Sequence, residues 1–191
     1  AAPELWADLK AQLFQFDITL LQGMQALADA LTPQDLEAMV AHMGEYAPRP
    51  CFLPFLAELE RAGLPFVLVS GGLVPLVEAV LGPHRHRLDQ LVAAEVLPHL
   101  GGGLRFASPF ANGQELVAKA EVVKRYGRGR SVVIGDSITD LGMAEVADLV
   151  FAREPLSGWL EQRGIAFHPW DSFADVEVVL RQQGLLPGAA A

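Results

Sequence analysis

Apolar residues in the first part of the chain recur at helical rather than alternating spacing: Leu5, Leu9 and Leu13, then Leu20, Met24 and Leu27, then Leu36, Met39 and Val40. The pattern predicts two or three short helices between Leu5 and about Met43. Thr32-Pro33-Gln34-Asp35 is a helix start. The Thr32 hydroxyl can accept from free backbone N–H groups, Pro33 suits the first helical position, and Asp35 favours the positive end of the helix. The pattern breaks at Tyr46-Ala47-Pro48-Arg49-Pro50.

Beyond the break the rhythm changes. Phe52 to Arg61 predicts a helix that tolerates Pro54 in its first turn and closes at Gly63. Phe66-Val67-Leu68-Val69 is an apolar run of strand length ending at Ser70-Gly71-Gly72, and Leu73 to Leu81 predicts a helix closing at Gly82. Ala118 to Tyr126 is helical, and Ser131-Val132-Val133-Ile134 is a second buried-type strand ending at Gly135-Asp136. Leu141 to Ala147 is helical, Leu149-Val150-Phe151 is strand-like, and Ile165-Ala166-Phe167 is a further strand candidate. His99 to Gly113, with three consecutive glycines at 101–103, predicts a loop or a small hairpin, and residues 188–191 a frayed tail. Short apolar strands alternating with helices indicate an α/β fold, a parallel sheet with helices on both faces.

Composition narrows the class. With 191 residues, 51% hydrophobic and 19% charged, the chain suits one compact domain with an attached lobe. Lys and Arg number 14 against 23 Asp and Glu, a formal net charge of −9, which argues against nucleic acid or anionic membrane as a partner. The lone cysteine, Cys51, forms no intrachain disulfide, and no Cys/His cluster has zinc-site spacing. A soluble protein of a reducing compartment, the cytoplasm, is the expectation. The first residues lack signal-peptide character, and the apolar runs end well before the roughly 20 residues a bilayer requires. The sequence does not open with Met.

Ligands of an open parallel sheet bind beyond the carboxyl ends of its strands. Two such ends carry unusual chemistry. Ser70 followed by Gly71 and Gly72 lets a hydroxyl and a backbone N–H approach an anion. Asp136 and Asp140, four apart where a helix begins, can share one side of a turn and suit a cation such as Mg²⁺. Taken singly, each feature has an ordinary reading: a turn, a strand exit with helix caps, and in Lys119 a surface lysine.

Together they resemble the haloacid dehalogenase superfamily. Ser70-Gly71-Gly72, Lys119 opening Lys119-Ala120-Glu121-Val122-Val123, and Val132-Val133-Ile134-Gly135-Asp136-Ser137-Ile138-Thr139-Asp140 are similar to its second, third and fourth motifs, in order. The likeness is to the phosphoserine-phosphatase-like branch, and within it to the methionine-salvage phosphatases that act on a methylthiopentenyl phosphate; it runs from Leu5 to Phe173. The resemblance implies a Rossmann-like core over 48–187 with a small helical cap over 1–47, and hydrolysis of a small phosphate ester with Mg²⁺. It implies that Ser70 and the Gly71 N–H, with Gly72, hold phosphoryl oxygens and that Lys119 offsets negative charge. It implies that Asp136 ligates Mg²⁺, that Asp140 orients Lys119 or metal-bound water, and that Thr139 touches substrate. Positioning and charge neutralisation supply most of the catalysis in phosphoryl transfer.

One motif is absent. The family begins with a strand leading into Asp-x-Asp-x-Thr, whose first Asp is the nucleophile and whose second is the general acid/base. The superficial candidate, Phe14-Gln15-Phe16-Asp17-Ile18-Thr19, puts an amide at the nucleophile position, lacks a preceding apolar strand, and resembles cap helix instead. The expectation is a chain that starts late, a fragment without its central strand and inactive as written. The alternative is a non-catalytic phosphate-binding or regulatory domain. A serine hydrolase using Ser70 fares poorly, because Leu68 stands where Gly-x-Ser-x-Gly needs its first glycine and the aspartates fit a metal better. His84, Arg85, His86 and Arg87 form a basic cluster read as a solvated loop. Trp159 and Trp170 are read as packing, and so are Met24, Met39 and Met43. The salvage branch often has a cysteine-rich stretch before the lysine motif, where this chain is Gly-rich.

Overall fold

The computed structural model of the chain describes residues 8–9, 11–12, 15, 17–99 and 103–188. Expectations resting on Leu5, Leu13, Phe14, Phe16, Gly101, Gly102 and the last three alanines lie outside these residues. The chain divides into two compact units: the described part of Ala1–Ala47 with Val69–Pro83 and Leu91–Ala118, and Pro48–Leu68 with His84–Gln90 and the described part of Lys119–Ala191.

In the first unit, helix α1 spans Leu20–Ala30 and α2 spans Pro33–Met43. Both open on reciprocal caps. Gln22 N–H donates to Thr19 Oγ1 while Thr19 N–H donates to Gln22 Oε1, and Thr32 and Asp35 repeat the exchange, as the Thr-Pro-Gln-Asp start predicts. Strands β1 (Val67–Leu73), β2 (Gln90–Pro98) and β3 (Leu104–Ala107) form a three-stranded sheet in that order. Helix α4 (Val74–Leu81) packs on α2, and α1 packs on β3.

One sequence expectation is corrected here, and another is resolved between its two readings, loop or small hairpin, in favour of the hairpin. Ser70-Gly71-Gly72 does not end the strand; β1 runs through it to Leu73, and α4 starts at Val74, with Pro75 in its first turn. Glycine permits an extended backbone as readily as a turn, so the punctuation was ambiguous. The irregular stretch after His99 contains the short strand of an antiparallel hairpin, Glu95 facing Ala107 and Pro98 facing Leu104. Strand β2 itself has no period-2 signature, because Val92, Ala93 and Ala94 are buried in succession.

In the second unit, α3 spans Phe52–Ala62, α5 Lys119–Tyr126, α6 Leu141–Val146, α7 Leu156–Arg163 and α8 Phe173–Gln182. Strands β4 (Val132–Gly135), β5 (Leu149–Ala152) and β6 (His168–Pro169) form a parallel sheet, with Val132 beside Leu149, Gly135 beside Ala152 and Phe151 beside His168. All four residues of β5 are buried, which is why it reads as an unbroken apolar run. Val133, Val150, Met143, Ala144, Leu156 and Leu160 close one core. Phe52, Phe55, Phe66, Phe173 and Trp170 form an aromatic group with ring centroids 5.1–6.3 Å apart. Ile165-Ala166-Phe167 is not a strand, a further correction. The pairing falls on His168 and Pro169, while Ile165 and Phe167 pack against the core from outside the ladder. Among the described residues no helix is long and apolar enough to cross a membrane.

Local chemistry sets two expected outcomes. Among the described residues, Cys51, just before α3, is the non-glycine residue with a left-handed backbone, at φ 65°. Cys51→Gly is expected to raise stability by up to about 1 kcal/mol, because the Cβ penalty of that conformation disappears; urea midpoints compare the two chains. Three aspartates are held below the ordinary carboxyl range by hydrogen bonds: Asp35 by Thr32, Asp148 by Ser131 and Asp175 by Ser172. A depressed folded-state value means that the stabilisation is present above the unfolded-state value and is lost as pH falls through the folded one. The urea midpoint is therefore expected to hold level near neutrality and to drop below about pH 4. Asp148→Asn should flatten part of that acid limb.

Candidate active site

Strand β4 ends at Gly135, and the chain then turns through Asp136 and Ser137 into a single 3₁₀ turn, Ile138–Asp140, before α6. Asp140 is the junction of this turn. Its Oδ2 accepts from the backbone N–H of Asp136 and of Ser137, both at 2.9 Å. Its Oδ1 accepts from Lys119 Nζ at 2.5 Å. Lys119 Nζ also donates to Thr139 Oγ1 at 2.9 Å, and Thr139 Oγ1 lies 2.7 Å from Ser137 Oγ. Both charged side chains are buried, each about 7% exposed. A buried ion pair is tolerated where further hydrogen bonds satisfy it, as they do here. Lys119 is supplied by the first residue of α5, which packs on α6.

Gly135 makes this closeness possible. A Cβ there would meet the Asp140 side chain at 2.7–2.9 Å, inside van der Waals contact.

Asp136 faces outward. Its Oδ2 accepts from Arg49 Nη2 at 2.9 Å, and Arg153 Nε lies 3.6 Å from the same oxygen. The Arg153 guanidinium sits over the Trp170 ring, 5.2 Å from its centroid, and Trp170 Nε1–H donates to the Gly135 carbonyl at 3.2 Å. Trp170 is thus packing, as its sequence position suggests, and also the platform that holds Arg153 beside Asp136.

Lys119, Thr139, Asp140 and Asp136 therefore come together in one unit. Ser70, Gly71 and Gly72 belong to the other, where they are half-buried within β1 and Ser70 Oγ accepts from the Gly72 N–H at 3.1 Å. Sequence reasoning did not select Arg49 or Arg153. Arg153 follows the last residue of β5, so the strand-end rule, applied to that strand too, finds it. Arg49, between two prolines, carries no such signal.

A cation's fit can be judged from the donors. Among the described residues there is no group of three or more His, Cys, Asp or Glu side chains that could enclose a metal. Asp140 is committed to Lys119 and two backbone N–H groups. Asp136 remains, a carboxylate 37% exposed. Its Oδ2 already accepts from Arg49, so Asp136 would serve Mg²⁺ as a single carboxylate ligand, within the one or two that the ion takes when water and phosphate oxygens fill the rest.

The chain belongs to the haloacid dehalogenase-like hydrolases, whose family model matches residues 2–145. It is 34% identical over 181 residues to the 2-hydroxy-3-keto-5-methylthiopentenyl-1-phosphate phosphatase of Microcystis aeruginosa, covering 94% of this chain and 86% of that protein. It is 31% identical to the bifunctional enzyme MtnB/MtnX of Bacillus licheniformis, covering 95% of this chain and 44% of that one. Among solved structures, the phosphoserine phosphatase from T. onnurineus superposes with a TM-score of 0.66 at 20% identity, over 92% of this chain and 80% of that one. A phosphoserine phosphohydrolase-like protein from Francisella tularensis gives 0.68 at 18% identity, over 94% and 86%. The two structural likenesses speak for the fold, and the α/β class and the family resemblance seen in the sequence both hold.

Proposed function

We propose that this chain provides the cap and core of a Mg²⁺-dependent phosphomonoester hydrolase of the cytoplasm, acting on a small phosphorylated metabolite. The substrate is 2-hydroxy-3-keto-5-methylthiopentenyl-1-phosphate or a close analogue. The observation that carries this reading is the 34% identity across 94% of the chain to a phosphatase of that name. The buried Lys119–Asp140 pair beside an outward Asp136 supports it.

In this reading Ser70 and the Gly71 N–H bind phosphoryl oxygens, with Gly72 leaving the backbone room to approach. Lys119, fixed by Asp140 and Thr139, holds positive charge where a phosphoryl group gathers negative charge. Thr139 Oγ1, shared between Lys119 and Ser137, is the hydroxyl available to substrate. Asp136 would hold Mg²⁺. When bound, the ion would neutralise phosphate charge and orient the ester. Residues 1–47 would form the helical cap.

The Asp-x-Asp-x-Thr motif occurs nowhere in the 191 residues. A second reading is a domain that binds a phosphate ester without hydrolysing it. One experiment separates the two. The chain is assayed with Mg²⁺ and small phosphate esters as it stands, with a strand ending in Asp-x-Asp-x-Thr joined ahead of Ala1, and with that strand plus Asp136→Asn. The hydrolase reading expects turnover in the second protein alone. Turnover no higher there than in the Asp136→Asn control sinks it, and ester binding without turnover in all three establishes the second reading.

A further inference from the structure

Asp136 is the carboxylate that the proposed function assigns to the metal, yet here it already has cationic company. Two guanidiniums address the same oxygen, and they are held very differently. Arg153 is stacked on Trp170, a ring only 6% exposed whose Nε1–H is bound to Gly135, the residue just before Asp136. Its position is therefore set by a buried ring, while the side chain itself stays 31% exposed. Arg49 lies between Pro48 and Pro50 ahead of α3, and its side chain is 52% exposed. Among the described residues its guanidinium has no hydrogen-bond acceptor besides Asp136.

We propose that Arg49 is the exchangeable counter-cation of Asp136 and sets the affinity of that carboxylate for a divalent ion, which enters by displacing the Arg49 guanidinium while Arg153 stays in place. This rests on the reading of Asp136 as a metal ligand. The physical grounds are charge and tethering. An exposed Arg–carboxylate pair contributes little net free energy, since it is screened and orders a long side chain, so Arg49 can leave at small cost. While both guanidiniums remain, the site carries two positive charges against one negative. The Lys119–Asp140 pair adds none, so a divalent ion meets net repulsion. Release of Arg49 frees the oxygen and removes one of those charges together. Arg49 is in this sense a positioning residue that acts through Asp136, with no contact to substrate required of it.

The experiment is direct Mn²⁺ binding to the whole 191-residue chain, followed by electron paramagnetic resonance and calorimetry with Mg²⁺ as competitor, without any activity assay. Arg49→Gln is expected to bind Mn²⁺ about fivefold to tenfold more tightly than the parent chain, from loss of one competing charge close to the oxygen. Arg49→Lys, which keeps the charge, should stay within about twofold of the parent. Arg153→Gln should tighten binding less than Arg49→Gln, because Arg153 stands farther from the oxygen and is not the group displaced. Thermal melts of the arginine variants should match the parent, which separates competition from a structural effect. Equal affinity in the parent and Arg49→Gln, with binding abolished in Asp136→Asn, overturns the role of Arg49 and leaves Asp136 as the metal ligand. Binding that is absent from every variant, or unchanged in Asp136→Asn, overturns both.

Discussion

Asp140→Ala is expected to destabilise the chain by about 3–5 kcal/mol, the usual cost of removing one partner from a buried ion pair. The carboxylate serves three groups at once: the Lys119 ammonium and the backbone N–H groups of Asp136 and Ser137. Its loss leaves a cation only 7% exposed with Thr139 as its remaining partner, and two donors at the turn without their acceptor. Asp140→Asn should fall between the parent and the alanine variant. Its amide has one acceptor oxygen where the carboxylate has two, so its NH₂ group must face either the ammonium or the backbone donors. Lys119→Met should cost less than Asp140→Ala, since Asp140 keeps both backbone donors. The double variant Lys119→Met with Asp140→Ala should recover part of the loss, because no buried charge remains unpaired. Urea denaturation of the four variants gives these differences. Equal losses for Lys119→Met and Asp140→Ala, with simple additivity in the pair, would show that the two side chains are not coupled as the geometry requires.

Trp170→Ala carries the second large effect, about 3–5 kcal/mol as expected for truncating a buried large aromatic. The ring is 6% exposed and packs against Phe173 at 5.3 Å, inside the aromatic group that joins α3 to α8. Truncation removes that contact and the hydrogen bond to Gly135 together. Trp170→Phe should cost less, since it keeps most of the packing and forfeits the hydrogen bond. Alanine also removes the platform of Arg153, and phenylalanine leaves it a smaller, weaker ring face. Trp170→Phe should therefore alter Mn²⁺ affinity at Asp136 while the fold persists, a response that a purely structural tryptophan would not give.

What was legible in the sequence shares one property: the signal was local. The capping exchange at Thr32 and Asp35 spans three residues. The close of α3 at Gly63, with φ 66°, depends on one residue whose missing Cβ suits that backbone. The Asp136–Asp140 spacing suggests two carboxylates on one side of a turn, and here the local signal misleads: Asp140 turns inward to Lys119 and Asp136 outward to Arg49. The unbroken apolar run of β5 announced a strand buried on both faces. Strand β2 and the true position of β6 escaped because their patterns were set by pairing rather than by residue type. Three consecutive buried residues in β2 erase the alternation, and β6 is two residues chosen by their neighbours in β5.

The site divides the same way. The sequence by itself determined the α/β class and the family, and it singled out Lys119, Asp136, Thr139 and Asp140 as candidates, because motif residues and helix starts are written within a few positions of one another. The tertiary structure alone decided what those groups touch. It set Lys119 against Asp140 across 21 positions, Trp170 against Gly135 across 35, and Arg49 against Asp136 across 87. Pairing at such separations depends on how the core closes, a property of the packed chain as a whole that no short window of residues encodes.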